Sequence, residues 1–474
     1  MNLRKILLFA LGPLGNSVLG LFILPISAWF FTTEDIGRLS MYQLVVSFSI
    51  ILFGLGLDQG YVREYHDSPG CQKDKLFKTL FLSAITVLFL VVLVSLLIPV
   101  ELSYLVTGIQ SKWISLYIIL GVVFAFISRF LALILRMNER ALAYSLSQLL
   151  PKLLFLFVLL SYLYFEVESE FESLIAAQLA GVVSAFVILI INTRISLIDA
   201  IKESFDLILL KRILLYTVPL IGSGLTFWGL AATDKFLLRL LSTFEELGVY
   251  SMAYSFSAVA LILQAIFSTV WAPQVYKWAS KGGGGENVKD SVQIIALVIC
   301  LVWSFVGLLS WLSLLILPDE YARVDVLILA VIAYPLLYTL SEATGVGIGV
   351  KRKTMYALLA TFIALVINFF GNYLLIPLFQ AEGAAISSAI SFFIFFIIKT
   401  EYSNRIWVEF ERFRMYLIIS IHIALACFLN LFTKTPLELR LFLYTGITLF
   451  TLILFWNEVK RSIGFMNNYR KLKR

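Results

Sequence analysis

Apolar runs of about twenty residues follow one another along almost the whole chain. At 1.5 Å of helix rise per residue, each is long enough to cross a hydrocarbon core of roughly 30 Å. Inside lipid every backbone polar group needs an internal partner, so such runs are expected to be helical. Fourteen spans are expected, the first near 8–31, the fifth near 141–164, the eleventh near 355–378 and the last near 440–457. Composition agrees: hydrophobic residues make up 60% of the chain and charged residues 14%, against about 25% charged in a soluble domain. The expected fold class is an all-α polytopic membrane protein.

Lys and Arg of short loops stay on the cytoplasmic side. With the N-terminus inside, cytoplasmic segments outnumber outer loops in basic residues by roughly four to one, so both termini are expected in the cytoplasm. The net charge of +7 then follows from topology and from attraction to anionic membrane lipids, and no nucleic-acid partner is called for. The tail from Lys460 to Arg474 reads as a membrane-surface segment. GGGG at 282–285 lacks the Lys-Ser/Thr of a phosphate-binding loop and reads as a flexible cytoplasmic loop. Cys71 is expected in a cytoplasmic loop and Cys300 and Cys427 inside spans, which suggests no disulfide framework. His66 and His422 alone support no metal site. The first apolar run lacks a small-residue cleavage site and reads as a retained helix.

Residues 32–43, TTEDIGRLSMYQ, recur as TFEELGVYSMAY at 243–254. Thr32, Glu34, Gly37, Ser40 and Met41 match Thr243, Glu245, Gly248, Ser251 and Met252. PLGNSVL at 13–19 likewise matches PLIGSGL at 219–225, and Ser128 and Arg140 match Ser341 and Lys353. This order suggests a duplication of six helices per copy. An even number gives both copies the same orientation, as in transporters whose substrate site lies between parallel repeats. The expected lobes are 1–200 and 201–405, with two additional helices and the basic tail at 406–474.

The Pro-containing first span, the acidic-Gly turn, GLGLDQGYVREY at 54–65 and VWAPQVYKW at 270–278 together resemble the polysaccharide transporters. These are O-antigen-type flippases of the multidrug/oligosaccharidyl-lipid/polysaccharide superfamily. The resemblance covers roughly the first twelve helices, and two further helices also occur in such relatives. It implies a non-enzymatic carrier that takes an undecaprenyl-diphosphate-linked oligosaccharide to the outer leaflet of the cell inner membrane, coupled to H+ or Na+ and with no other cofactor. A polysaccharide polymerase and chain-length machinery would be its protein partners. The alternatives are a multidrug or metabolite antiporter of the same superfamily, the peptidoglycan-precursor flippase, and a membrane polysaccharide polymerase or ligase.

Lys152 falls near the middle of the fifth span, where a lone cation costs about 2.5–3.5 kcal/mol on insertion scales. Ser145, Gln148 and Lys152 share one helix face, expected to line a cavity and hold the diphosphate, with Pro151 loosening the helix beside it; a structural partner for the lysine is the other reading. Thr361, Asn368 and Asn372 form a polar stripe on the eleventh span, suited to sugar hydroxyls or equally to interhelical hydrogen bonds. Asn16 and Trp228 are candidate sugar contacts. Arg63 is a candidate for the diphosphate, with a loop pair to Glu64 as the plainer alternative. Asp234, Lys235 and Arg239 cluster at the expected outer end of the seventh span. Arg129 and Glu342 share a repeat position at an offset of 213. Glu342, expected to be the only acidic residue well within a span, is the first candidate for ion coupling, with Arg129 as a possible partner and Asp58 and Asp234 next.

The topology makes a direct prediction. Cysteine placed at position 168 should react with an impermeant thiol reagent from outside, and cysteine at position 281 only after the membrane is opened; the reverse at either site refutes it.

Overall fold

A computed structural model of the protein describes residues 3–67, 72–97, 100–281 and 285–461. Cys71, most of the Gly-rich 282–285 stretch and the tail beyond Arg461 lie outside the described residues. In chain order the helices are α1 (Leu3–Ser27), α2 (Thr33–Phe53), α3 (Leu57–Glu64), α4 (Gln72–Leu97), α5 (Leu102–Thr107), α6 (Lys112–Met137), α7 (Ala141–Tyr164), α8 (Phe171–Lys202) and α9 (Leu207–Leu241). They continue as α10 (Phe244–Phe256), α11 (Ala258–Ser280), α12 (Gly285–Leu309), α13 (Ser313–Ile316), α14 (Val324–Val331), α15 (Ala333–Val350), α16 (Met355–Ile406), α17 (Phe413–Leu431) and α18 (Leu437–Leu454). Among the described residues, eleven helical runs are long and apolar enough to cross a membrane.

That number is three below the fourteen expected spans, because the eleventh and twelfth run together in α16 and because α1 and α9, described only in part, are not among the eleven. Two other spans are broken within the backbone, which hydropathy does not register. The expected eighth span is divided at Ser257 into α10 and α11, and the tenth at Ile332 into α14 and α15. The eleventh and twelfth run together in the 52-residue α16, which Gln380 interrupts with φ 51° and ψ −124°. Its two halves fold back on each other. The Ser387 hydroxyl donates to the Asn368 carbonyl at 3.0 Å, and a Cβ on Gly371 would meet Ser387 Oγ at 2.5 Å. Glu382, just past the break, takes both contacts from Arg323 Nη1 at 3.0 and 3.1 Å.

Chain contacts divide the protein into two compact units, Met1–Arg239 with Thr243–Gly248, and Leu240–Ser242 with Val249–Arg474. In the first, α1 packs along α7 while α6 and α7 pack along α8. Phe77, Phe126 and Phe130 fill its core with Leu57, Leu80 and Ile134. The link from α8 to α9 is clasped by one face of α4. Lys78 Nζ donates to the Ile201 carbonyl at 2.7 Å, Lys75 pairs with Asp206 at 2.8 Å, and the Asp206 amide donates to Thr79 Oγ1 at 3.2 Å. The Leu209 amide and the Lys75 ammonium hold the Asp206 carboxyl below its ordinary range.

In the second unit α15 packs along α16, α11 and α12, and α17 and α18 pack on α12. Arg440 of α18 reaches Asp325 of α14 at 2.6 Å with both side chains buried. Asn430 donates to the Val326 carbonyl at 3.2 Å, and His422 meets Ser304 at 3.0 Å. A lone buried charge would be costly to leave unpaired, so Asp325 and Arg440 fix α18 in register. Cys300 and Cys427 lie in α12 and α17.

The duplicated stretch forms the same local structure twice. Thr32 Oγ1 accepts the Asp35 amide and Thr243 Oγ1 accepts the Glu246 amide, each at 3.2 Å. These are N-caps, followed by acidic residues in the positive first turn of α2 and α10. Gly37 and Gly248 then cross. A Cβ on Gly37 would lie 1.9 Å from the Phe244 carbonyl oxygen, and one on Gly248 would lie 1.9 Å from the Thr33 carbonyl oxygen. Thr33 and Phe244 are themselves equivalent at the 211-residue offset, so the contact is reciprocal.

Gly37→Ala or Gly248→Ala must force the helices apart, at a cost of about 1–3 kcal/mol or more for overpacking. Thermal unfolding of the purified protein in detergent should show a lowered midpoint for both. Gly222→Ala, with nothing within 4 Å of the added carbon, should leave it unchanged.

Candidate functional site

Lys152 is the twelfth of the 24 residues of α7. Its Nζ donates to the Asn16 main-chain carbonyl of α1 at 2.6 Å, and Gly20 leaves it room, since a Cβ there would lie 2.8 Å from the ammonium. Among the described residues no carboxylate pairs with it. The same face of α7 continues onto α1, where the Ser145 hydroxyl donates to the Leu8 carbonyl and Gln148 Oε1 lies 3.2 Å from a Cβ built on Gly12. Ser145, Gln148 and Lys152 thus come together with Asn16, and α1 occupies the face on which open space was expected.

Arg129 on α6 pairs with Asp58 on α3, Nη2 to Oδ2 at 2.9 Å and Nε at 3.2 Å. The arginine side chain is 51% exposed and the aspartate 17%, so one side of the guanidinium remains open. Arg63 and Glu64, expected as a loop pair, instead take separate partners on α9. Arg63 lies over the Tyr216 ring at 3.8 Å, and Glu64 pairs with Arg212 at 3.0 Å. Trp228 donates to Ser47 Oγ at 3.3 Å and its ring sits 4.9 Å from that of Phe48; it packs α9 against α2. Asp234 is buried beside Lys235, whose charge it senses, and Arg239 lies over the Phe244 ring at 4.3 Å.

In the second unit Asn368 and Asn372 are fully buried. Asn372 donates to the Asn368 carbonyl at 2.8 Å, and Asn368 reaches Ser388 Oγ at 3.4 Å. The polar stripe therefore faces the second half of α16, while Thr361 donates to the Ala357 carbonyl at 2.9 Å. Glu342 on α15 accepts the Ser268 hydroxyl of α11 and lies within electrostatic range of Lys399. The buried Asp325 and Glu382 lie at the start of α14 and just past the break in α16, not well within a span. Glu342, Lys399, Ser268, Trp271 and Tyr276 line a cavity of about 200 Å³. Sequence reading missed Lys399 and Trp271. The signal for Lys399 was its position inside the expected twelfth span; Trp271 stood unread within VWAPQVYKW.

Among solved structures, the lipid II flippase MurJ in an inward closed conformation superposes with a TM-score of 0.67 at 13% identity, covering 96% of this chain and 99% of that one. An inward-facing multidrug resistance MATE family transporter of the MOP superfamily gives 0.55 at 15% identity, covering 84% of this chain and 94% of that one. The protein is thus a multi-pass membrane protein with the MATE/MOP transporter fold. Residues 2–278 match the family described as Polysaccharide biosynthesis protein, and the chain belongs to that family. A relative, the probable low-salt glycan biosynthesis flippase Agl15 of Haloferax volcanii, is 23% identical over 185 residues, 38% of this chain and 39% of the relative. The match spans well under half of that relative's length.

The Asp58–Arg129 pair can be tested by charge exchange. Asp58→Arg and Arg129→Asp should each lower the unfolding midpoint in detergent, and the double exchange should restore part of the loss. A coupling of up to about 1 kcal/mol is the size for a half-exposed pair; strict additivity would show that the pair contributes nothing.

Proposed function

We propose that this protein is a flippase that carries an undecaprenyl-diphosphate-linked oligosaccharide from the cytoplasmic to the outer leaflet of the cell inner membrane by alternating access. The observation that carries the reading is Lys152, a cation at mid-helix that no described carboxylate neutralises. An embedded charge of this kind marks a substrate path, and a cation suits the diphosphate of a lipid-linked sugar. The family match over residues 2–278 supports a glycan substrate. Fourteen crossings with both termini inside are part of the same proposal, as are two parallel six-helix lobes followed by two further helices. The eleven long apolar runs reach fourteen when the two halves of α16 count separately and α1 and α9 are added.

Lys152, with Gln148, Ser145 and Asn16, is assigned to the diphosphate, and Arg129 and Arg63 to its approach from the cytoplasmic side. Asn368 and Asn372 serve packing of α16 in this scheme. Glu342 is the ion-responsive group: it lines a cavity and its hydrogen bond from Ser268 changes character when the carboxylate is neutralised, which biases one conformation over another. An antiporter of organic cations would need an uncompensated carboxylate near Lys152. Asp58, which Arg129 neutralises, does not supply one.

Two substitutions test this. Lys152→Ala should abolish export of lipid-linked sugar at unchanged protein level, whereas Lys152→Arg retains part of it; full export by the alanine variant refutes the role. Glu342→Gln should leave export running but remove its dependence on an imposed proton or sodium gradient, and an unaltered dependence moves the role away from Glu342.

A further inference from the structure

A small cavity lies among the ends of α3, α4, α6 and α8 in the first unit, walled by Tyr61, Phe77, Lys73, Asp74, Asn138 and Ser196. Tyr61 is 3% exposed, yet its hydroxyl stays accessible and, among the described residues, has no hydrogen-bond partner. Buried polar groups are almost always paired, so this one calls for a ligand or a water. The phenol is held before anything binds. Its ring meets Tyr65 edge-on at 5.5 Å and Phe77 edge-on at 5.7 Å, and a group fixed in advance lowers the cost of binding. Tyr65 in turn donates to Asn138 Oδ1 at 2.6 Å, which engages the amide oxygen and leaves its N–H groups to donate. Lys73 stands over the Tyr65 ring at 4.4 Å.

Resting on the flippase reading and on its topology, which puts these helix ends in the cytoplasm, we propose that the cavity receives one sugar ring of the oligosaccharide headgroup before transport. Tyr61 and Asn138 belong to α3 and to the cap of α6, the same elements that carry Arg63 and Arg129, so the ring lies beyond the diphosphate those arginines attract. The wall offers donors in the Tyr61 hydroxyl, the Asn138 amide and the Lys73 ammonium, an acceptor in Asp74, and in Ser196 a group that does both. A sugar hydroxyl also donates and accepts, so neighbouring hydroxyls on one ring answer groups of both kinds. A phosphate would face Asp74, with Asp199 and Glu203 in electrostatic range behind it, and an amine would face Lys73. A flat aromatic ligand finds no slot, because the tyrosine and phenylalanine rings cross at 67° and 75° and Lys73 covers Tyr65. The cavity, at about 200 Å³, is smaller than the roughly 300–1,000 Å³ of drug-sized sites; it fits one ring and not a whole repeat unit.

Tyr61→Phe removes the hydroxyl and keeps every ring contact. The full-length protein is reconstituted into liposomes, and the flipping rate is followed against concentration for two fluorescent probes, a polyprenyl-diphosphate-linked disaccharide and the same polyprenyl diphosphate without sugar. Wild-type protein should move both. The Phe variant should need about fivefold more of the disaccharide probe to reach half its maximal rate, the size of one net hydrogen bond, with the maximal rate unchanged and the sugar-free probe handled as by wild type. If the variant does not yield monodisperse protein, Ser196→Ala supplies the same comparison. An equal change with both probes, a change with neither, or a fall in maximal rate alone overturns the sugar subsite and leaves the flippase reading standing. Wild-type protein that moves neither probe overturns the flippase reading and the subsite with it.

Discussion

Two backbone carbonyls, those of Thr33 and Phe244, occupy the space where residues 248 and 37 would carry side chains. Between helices in lipid there is little hydrophobic drive, so association depends on close packing, and small residues permit the closest approach. At this crossing the two helices come near enough for Cα–H···O contacts in both directions. The duplicated stretch is explained by it: each copy supplies one half of a single reciprocal contact, and every shared residue has a part. The threonines cap, the acidic residues meet the positive helix ends, the glycines touch, and Ser40, Met41, Ser251 and Met252 are buried behind them. Substituting one copy alone would break both halves of the contact.

Much of the helical pattern was legible because the requirement to satisfy every backbone group in lipid is local and shows in hydropathy. Lys152 was legible for a related reason, since an ammonium at mid-span stands out against its neighbours. The positions of the breaks were not. Gln380 adopts a positive φ that its residue type does not announce, although Pro377 and Gly383 flank it, and α14 ends at Ile332, three residues before Pro335, and α10 before Ser257, within sequence that hydropathy reads as continuous spans. Partner choice was the other blind spot. The stripe Thr361, Asn368 and Asn372 was visible as polar, yet only the fold-back of α16 determines that it meets Ser387 and Ser388.

Positions 129 and 342 stand at the 213-residue offset and both are charged, but equivalence in sequence is not contact. Arg129 is held by Asp58 from α3, and Glu342 by Ser268 from α11. In each unit the partner comes from the helix that follows the duplicated crossing. The two positions thus carry opposite charges in different surroundings, a half-exposed ion pair in one unit and a cavity of mixed sign in the other.

The way Lys152 is held bears on how a diphosphate could use it. A buried ion pair broken by loss of one partner costs about 3–5 kcal/mol, because a charge is left uncompensated. A hydrogen bond to a neutral carbonyl contributes only about 0.5–1.5 kcal/mol net, rising to about 1.5–3 when one partner is charged. Lys152 rests on the Asn16 carbonyl, so in the proposed role an incoming anion would displace a weaker and uncharged contact and would leave no buried carboxylate behind. Asn16 sits on α1 between Pro13 and Pro25, where the backbone lacks some of its ladder bonds. A resting contact of this strength holds the lysine in register at mid-depth while leaving its charge available, which a carboxylate partner at the same position would not.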